Sequence, residues 1–134
     1  MGTKIVLDTN VIVSAFGWKG VPHEIFQKCI ESHFQLFISP PLLSEIKRVL
    51  SYHKFHFNQD EIDEFLSIII EVAEIVEPEI IINLILHDPS DNRVLECAIT
   101  ADCEYIISGD RHLLKIKEFE TIKILSPDQF KKIF

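Results

Sequence analysis

Short apolar runs of about five residues alternate along this chain with longer stretches in which apolar positions recur every three or four residues. That alternation is the signature of an α/β fold with a mostly parallel sheet. The spacing predicts strands at Lys4–Leu7, Leu36–Ser39, Ile75–Glu77, Tyr105–Ser108 and Ile122–Leu125. Helices are predicted between them. One starts directly after Asp8, and a second spans about Val21 to Ser32, with Pro22 tolerated in its first turn. A third opens behind Ser39 as N-cap, with Pro40 and Pro41 in the first turn, and runs to about Tyr52. "HKFHFNQD" interrupts the pattern before a helix from about Gln59 to Ala73. In "DPSDNRVLECAITADC" Asp88 reads as N-cap, Pro89 as the first helical residue and Asp91 as the third. A short helix after Asp110 and a last one after Ser126-Pro127 complete the set. Without repeats or a Gly/Ser linker, residues 1–134 are expected to form one domain.

Four acids stand out against this pattern. Asp8 and Asp110 each follow an apolar strand, which puts them in the crevice beyond the carboxyl ends of a parallel sheet, where ligands bind. Either could instead be an ordinary turn or cap residue. Asp91, Val94, Leu95 and Ala98 lie at i, i+3, i+4 and i+7, so this carboxylate shares the apolar stripe of its helix and must face inward. A favourable interaction with the helix dipole explains an acid there but not its inward direction. Glu45 sits at the edge of the stripe made by Leu42, Leu43, Ile46, Val49 and Leu50, about 100° from its centre, with Lys47 and Arg48 farther round toward solvent. Asp88 is accounted for by capping and is a secondary candidate. If these acids converge, their mutual repulsion requires cations or raised pKa values, and hard oxygen donors select Mg²⁺ or Mn²⁺.

Composition sharpens this only in places. The net charge of −8 argues against a broad basic surface for nucleic acid, although bound cations would reverse the local field of an acidic cluster. Cys29, Cys97 and Cys103 are odd in number, lack a CxxC spacing and lie in apolar patterns, which predicts buried, reduced thiols rather than disulfides or zinc ligands. The longest apolar run is broken by Glu77, Pro78, Glu79 and Asn83, so no membrane segment is expected. "MGTKIVLD" carries no secretory pattern, and a cytoplasmic protein is the expectation.

At these residues the sequence resembles the PIN-domain family, in particular the bacterial and archaeal toxins of VapC type. The matching stretches are "VLDTNVIVSAF", "ISPPLLSEIKRVL", "DPSDNRVLECAITADCEYIISGD" and "LLKIKEFETIKILSPDQF", which are spread over nearly the whole chain. The combination of D-T-N, S-E-I, D-N-x-V-L-x-x-A and S-G-D is specific, whereas each piece alone is weak. The resemblance implies a PIN-like three-layer α/β/α fold around a mostly parallel sheet of about five strands. It also implies a metal-dependent ribonuclease whose acids are Asp8, Glu45, Asp91 and Asp110, with Mg²⁺ or Mn²⁺ as cofactor. Asp8 and Asp110 are then the expected direct ligands, Asp91 a ligand or bridging group, and Glu45 a ligand or the base that orients water. Thr9, Asn10, Ser108 and Asp88 would support those acids from beside them. Between Asp88 and Asp91, the spacing to Ala98 and the inward geometry favour Asp91.

RNA phosphates could be met by Arg111, His112 and Lys115, or by Lys19 and Lys28, though these also fit an ordinary solvated surface. The resemblance further implies an antitoxin that reaches an Arg-bearing segment into the acidic site, and a homodimer. Phe16, Trp18, Phe55 and Phe57 could form a partner patch or cap the edge of the core. Two other classes compete with the ribonuclease. One is a PIN scaffold that binds RNA or protein without cutting, which loss of an acid would favour. The other is a Mg²⁺-dependent phosphohydrolase with Asp8 as nucleophile, which a second acid at position 10 would favour; Asn10 stands there instead.

Overall fold

The computed structural model describes residues 2–85 and 88–134. In chain order the elements are β1 (Thr3–Leu7), α1 (Thr9–Gly17), α2 (Val21–Ile30), β2 (Phe34–Ile38), α3 (Pro40–Leu50), a 3-10 turn (His53–Phe55), α4 (Gln59–Val72) and β3 (Glu74–Ile75). After these come α5 (Asp91–Thr100), β4 (Tyr105–Ile107), α6 (Arg111–Ile116), β5 (Glu118–Phe119), β6 (Ile122–Leu125) and α7 (Pro127–Ile133). The strands form one sheet in the order β3-β2-β1-β4-β6-β5. All neighbours are parallel except β5 and β6. The five expected strands are present, and β5 is an addition. It is a two-residue strand whose flanking turn residues, Lys117 and Glu120, take the left-handed region at φ 67° and 56° without glycine or asparagine to signal it.

β1 is central, and Ile5, Val6 and Leu7 are all buried, as expected of a parallel strand covered on both faces. Ile5 pairs with Leu36 on one side, while Leu7 pairs with Ile107 on the other. From β1 the chain steps outward to β2 and then β3, crosses back over the sheet, and resumes on the far side of β1 with β4. α5 packs on β1, β2 and β4 and α6 on β6, while α1 packs against α2 and α3, α3 against α4, and α7 back against α2. Strand order therefore reverses between β1 and β4. The crevice beyond their carboxyl ends is the topological switch point at which ligands of open parallel sheets bind.

Several helix ends differ from expectation. α2 stops at Ile30 because Ser32 turns left-handed (φ 65°), and the Ser32 and His33 amides close on the carbonyls of Cys29 and Lys28. Ser39 occupies the N-cap of α3 but its side chain makes no cap hydrogen bond; prolines at the next two positions remove two of the first-turn amides, one of which a cap would serve. Asp88 is not the N-cap of α5. Ser90 holds that position, and Asp88 instead closes the turn before it, accepting from the Ser90 amide and hydroxyl through Oδ1 while its carbonyl accepts from the Asp91 amide. Asp91 thus opens the helix rather than standing third. The aromatic residues form a continuous ladder, Phe26–Phe16–Phe65–Phe57–Phe55–Trp18, with successive centroids 4.6–6.1 Å apart. Most of it caps the core, and only Trp18, 55% exposed, ends it in solvent. The three cysteines are buried and free, with burial pushing each thiol up to about 12.

Candidate functional site

Asp8 is placed by the sheet. Its amide donates to the carbonyl of Ile107 (2.9 Å), so β1 and β4 stay paired up to the first residue of the crevice. It then serves as N-cap of α1, with Oδ1 accepting from the Thr9 amide at 2.8 Å. Its other oxygen, Oδ2, accepts from the Ser108 hydroxyl at 2.7 Å across a hundred residues of sequence. The same hydroxyl accepts from the Asp110 amide at 2.9 Å. Ser108 is fully buried and links the two acids at the ends of adjacent strands. Asp110 in turn caps α6, with Oδ1 accepting from the amides of His112 (2.7 Å) and Leu113 (3.3 Å). Both acids do cap helices, as the ordinary reading of such positions would have it, and that capping fixes them where they face each other.

Asp91 is carried by α5, which packs on β1 and β4. Val94, Leu95 and Ala98 pack into the core as the stripe predicts, and they hold Asp91 at 6% exposure. Its Oδ2 is buried and receives no hydrogen-bond donor. The Asp110 carboxylate lies beside the Asp91 carboxyl. Burial first, and then the charges of Asp8, Asp110 and Asp88, push the Asp91 carboxyl up to about 8. Burial also raises the Asp8 pKa; the bonds from Ser108 and Thr9 act against it, and the Asp110 and Asp88 carboxylates add to it. Glu45 is half-buried at the edge of the α3 stripe, as predicted. Its pKa is raised by burial and by Asp8, and drawn back by the Thr9 hydroxyl beside it and the Arg48 guanidinium. The four acids thus share one electrostatic neighbourhood at the switch point. Asp88 belongs to it too, adding its charge to those of Asp8, Glu45 and Asp91.

Carboxylate oxygens of Asp91 and Asp110 and a ring nitrogen of His112 lie within 4.8 Å of one another. His112 enters the sequence reading only as a possible phosphate contact, and the structure places it in the acidic cluster. Its spacing of two residues from Asp110 at a helix start was the available signal. Arg111 and Lys115 are exposed on α6, Lys19 is exposed and Lys28 half-buried, so none of these four joins the cluster in burial. Asn10 is exposed at the second position of α1.

Two residues unforeseen from the sequence hold the segment leading into α5. Asn92 is buried and exchanges two hydrogen bonds with the Ile85 backbone, 2.9 Å from its amide and 2.8 Å to its carbonyl. Glu96, also buried, accepts from the Ile82 amide at 2.9 Å and pairs with Arg93 at 2.8 Å, and Arg93 donates to the Ile82 carbonyl. These side chains give hydrogen-bond partners to backbone groups of Ile82 and Ile85, which lie outside any strand.

A family model described as the PIN domain matches residues 4–112. Among curated proteins none matches the sequence significantly. Two solved structures share the fold at low identity. A chain of VapBC2 from Rickettsia felis, solved bound to a DNA fragment from its promoter, superposes with a TM-score of 0.62 at 14% identity, covering 91% of this chain and 97% of that one. PAE2754 from Pyrobaculum aerophilum gives a TM-score of 0.62 at 9% identity, covering 98% and 89%. The three-layer α/β arrangement, the crevice between β1 and β4 and the match over residues 4–112 agree, and the chain belongs to the PIN-domain family.

Proposed function

We propose that this protein is a metal-dependent endoribonuclease that hydrolyses RNA phosphodiester bonds at the site formed by Asp8, Glu45, Asp91 and Asp110. The observation that carries this reading is the buried Asp91 carboxyl, whose Oδ2 has no hydrogen-bond partner and which lies beside the Asp110 carboxylate. Two like charges within 4.8 Å repel by about 3 kcal/mol at an effective dielectric near 20, so the pair calls for a proton or a cation. The donors are hard carboxylate oxygens, which fit Mg²⁺ or Mn²⁺.

Asp91 and Asp110 would hold the ion, with Asp8 as the third carboxylate beside them. When bound, a divalent ion supplies Lewis acidity at a scissile phosphate and lowers the pKa of water. The remaining work falls to this chain's own groups. Thr9 and Ser108 lock both oxygens of Asp8, so its charge stays aimed into the crevice. Glu45, half-buried with a raised pKa, is suited to accept the proton of an attacking water on a carboxylate oxygen. Ser108 keeps Asp8 and Asp110 in register. Asn10, exposed beside Thr9, would orient water or substrate at the rim, while Arg111 and Lys115 would meet RNA phosphates.

Beyond the chemistry, we read the protein as the cytoplasmic toxin of a toxin-antitoxin pair, acting as a homodimer. The shared fold with a chain of the VapBC2 complex supports an antitoxin partner. Among the described residues no helix is long and apolar enough to cross a membrane. The test is incubation of a mixed-sequence RNA with the purified protein and Mg²⁺ or Mn²⁺, alongside an EDTA control and Asp8→Asn. Cutting that requires metal and is lost in the variant supports the reading. Equal inertness of both proteins with either metal counts against it.

A further inference from the structure

His112 reaches the acidic cluster because of the way α6 starts. Asp110 caps the helix by accepting from the amides of His112 and Leu113, which fixes the first turn against the sheet end. Leu113 is driven into the core and is fully buried. One position earlier, about 100° round the helix, His112 is therefore set beside Asp110, half-buried. Its Nδ1 lies 3.6 Å from Asp110 Oδ1. A ring nitrogen, a carboxylate oxygen of Asp110 and a carboxylate oxygen of Asp91 share a space of 4.8 Å. Around an octahedral ion with bonds of about 2.1 Å, cis ligand atoms stand about 3 Å apart and trans atoms about 4.2 Å apart, so small side-chain rotations close this set onto one centre. The Asp91 carboxyl of this trio is 6% exposed, and its Oδ2 has no hydrogen-bond partner, which points independently to a ligand there.

We infer that His112 is a direct nitrogen ligand of the ion held by Asp91 and Asp110, giving the site a mixed oxygen and nitrogen donor set that favours a first-row transition ion such as Mn²⁺ over Mg²⁺. This rests on the metal site proposed above. Mg²⁺ keeps to oxygen donors and gives up its waters reluctantly, whereas transition ions accept imidazole readily. A third protein ligand of this kind therefore adds affinity for one class of ion and little for the other.

The test is pulsed EPR on the full chain loaded with less than one equivalent of Mn²⁺ at mildly alkaline pH, which reads nuclear coupling from a directly bound nitrogen. The inference expects a ¹⁴N modulation in the wild-type protein that changes to the ¹⁵N pattern when histidine alone is isotopically labelled, a readout that needs no variant. In His112→Gln the modulation disappears while Mn²⁺ still binds, with affinity lowered about tenfold for Mn²⁺ and less than about threefold for Mg²⁺. Bound Mn²⁺ without nitrogen modulation, or modulation that survives in His112→Gln, overturns the inference and leaves a carboxylate-only site standing. Mn²⁺ affinity unchanged in both Asp91→Asn and Asp110→Asn overturns the metal site itself, and the inference with it.

Discussion

Replacing Asp91 by asparagine should stabilise the metal-free protein, a direction opposite to that of most substitutions of buried residues. Asp91 is 6% exposed, and its carboxyl is raised from 3.8 to about 8, chiefly by burial and then by Asp8, Asp110 and Asp88. Folding therefore takes up a proton between the unfolded value of 3.8 and the folded value of about 8. Below that window the carboxyl is neutral in both states and costs nothing. As pH rises through it, the unfolded chain gains an ionised group that the folded protein resists, and stability falls until the loss is complete above the folded pKa. At about 1.4 kcal/mol per pKa unit, the cost at neutral pH is of the order of 4 kcal/mol at most. Asparagine removes the charge but leaves a buried polar group without a full set of partners, so about half should be recovered, roughly 2 kcal/mol, or about 7 °C in melting temperature. Urea unfolding in EDTA across about pH 5 to 8 measures this, and the wild type should lose stability with rising pH more steeply than the variant. Saturating Mn²⁺ should reverse the order, because only the wild type keeps the full donor set. An Asp91→Asn protein less stable than wild type in EDTA at the alkaline end, or two parallel pH profiles, would refute the reasoning.

Ser108→Ala removes the donor to Asp8 Oδ2 and the acceptor of the Asp110 amide at once; it should cost about 2 kcal/mol in chemical denaturation and at least about tenfold in RNA cleavage rate. Asn92→Ala strips both hydrogen bonds from the Ile85 backbone and should cost about 2–3 kcal/mol, with hydrogen exchange at the Ile85 amide accelerating more than exchange in β1. The three thiols, buried and held near 12, should remain unreactive toward a disulfide reagent at mildly alkaline pH in the native protein and react together once it is unfolded. Rapid native labelling of any one of them would show that the core around it opens.

The sequence displays the parts of this fold in which one pattern dominates. β1 reads plainly because Ile5, Val6 and Leu7 are buried on both faces, and Asp8 ends the run at the crevice. The stripe through Asp91, Val94, Leu95 and Ala98 locates the inward acid correctly, although the helix starts at Asp91 and Asp88 belongs to the preceding turn. What stays hidden depends on contacts between segments. Asn92 and Glu96 lie off the apolar stripe, and their role shows only where the backbone of Ile82 and Ile85 hydrogen-bonds to them. β5 is too short for a period to emerge, and its turns use Lys117 and Glu120 where glycine or asparagine would have advertised them. His112 looks like one more surface cation until the capping of α6 by Asp110 shows which way it faces.

If the protein is the proposed ribonuclease, the acids at the β1/β4 crevice direct water onto RNA. End-group analysis of RNA cut by the purified protein with Mg²⁺ or Mn²⁺ tests this most directly, because attack by water leaves no cyclic phosphate whereas attack by the ribose 2′-hydroxyl does. The account predicts metal-dependent fragments without 2′,3′-cyclic ends, abolished by EDTA and by Asp110→Asn. Fragments carrying cyclic phosphates, or cutting that persists in EDTA and in the variant, would contradict it.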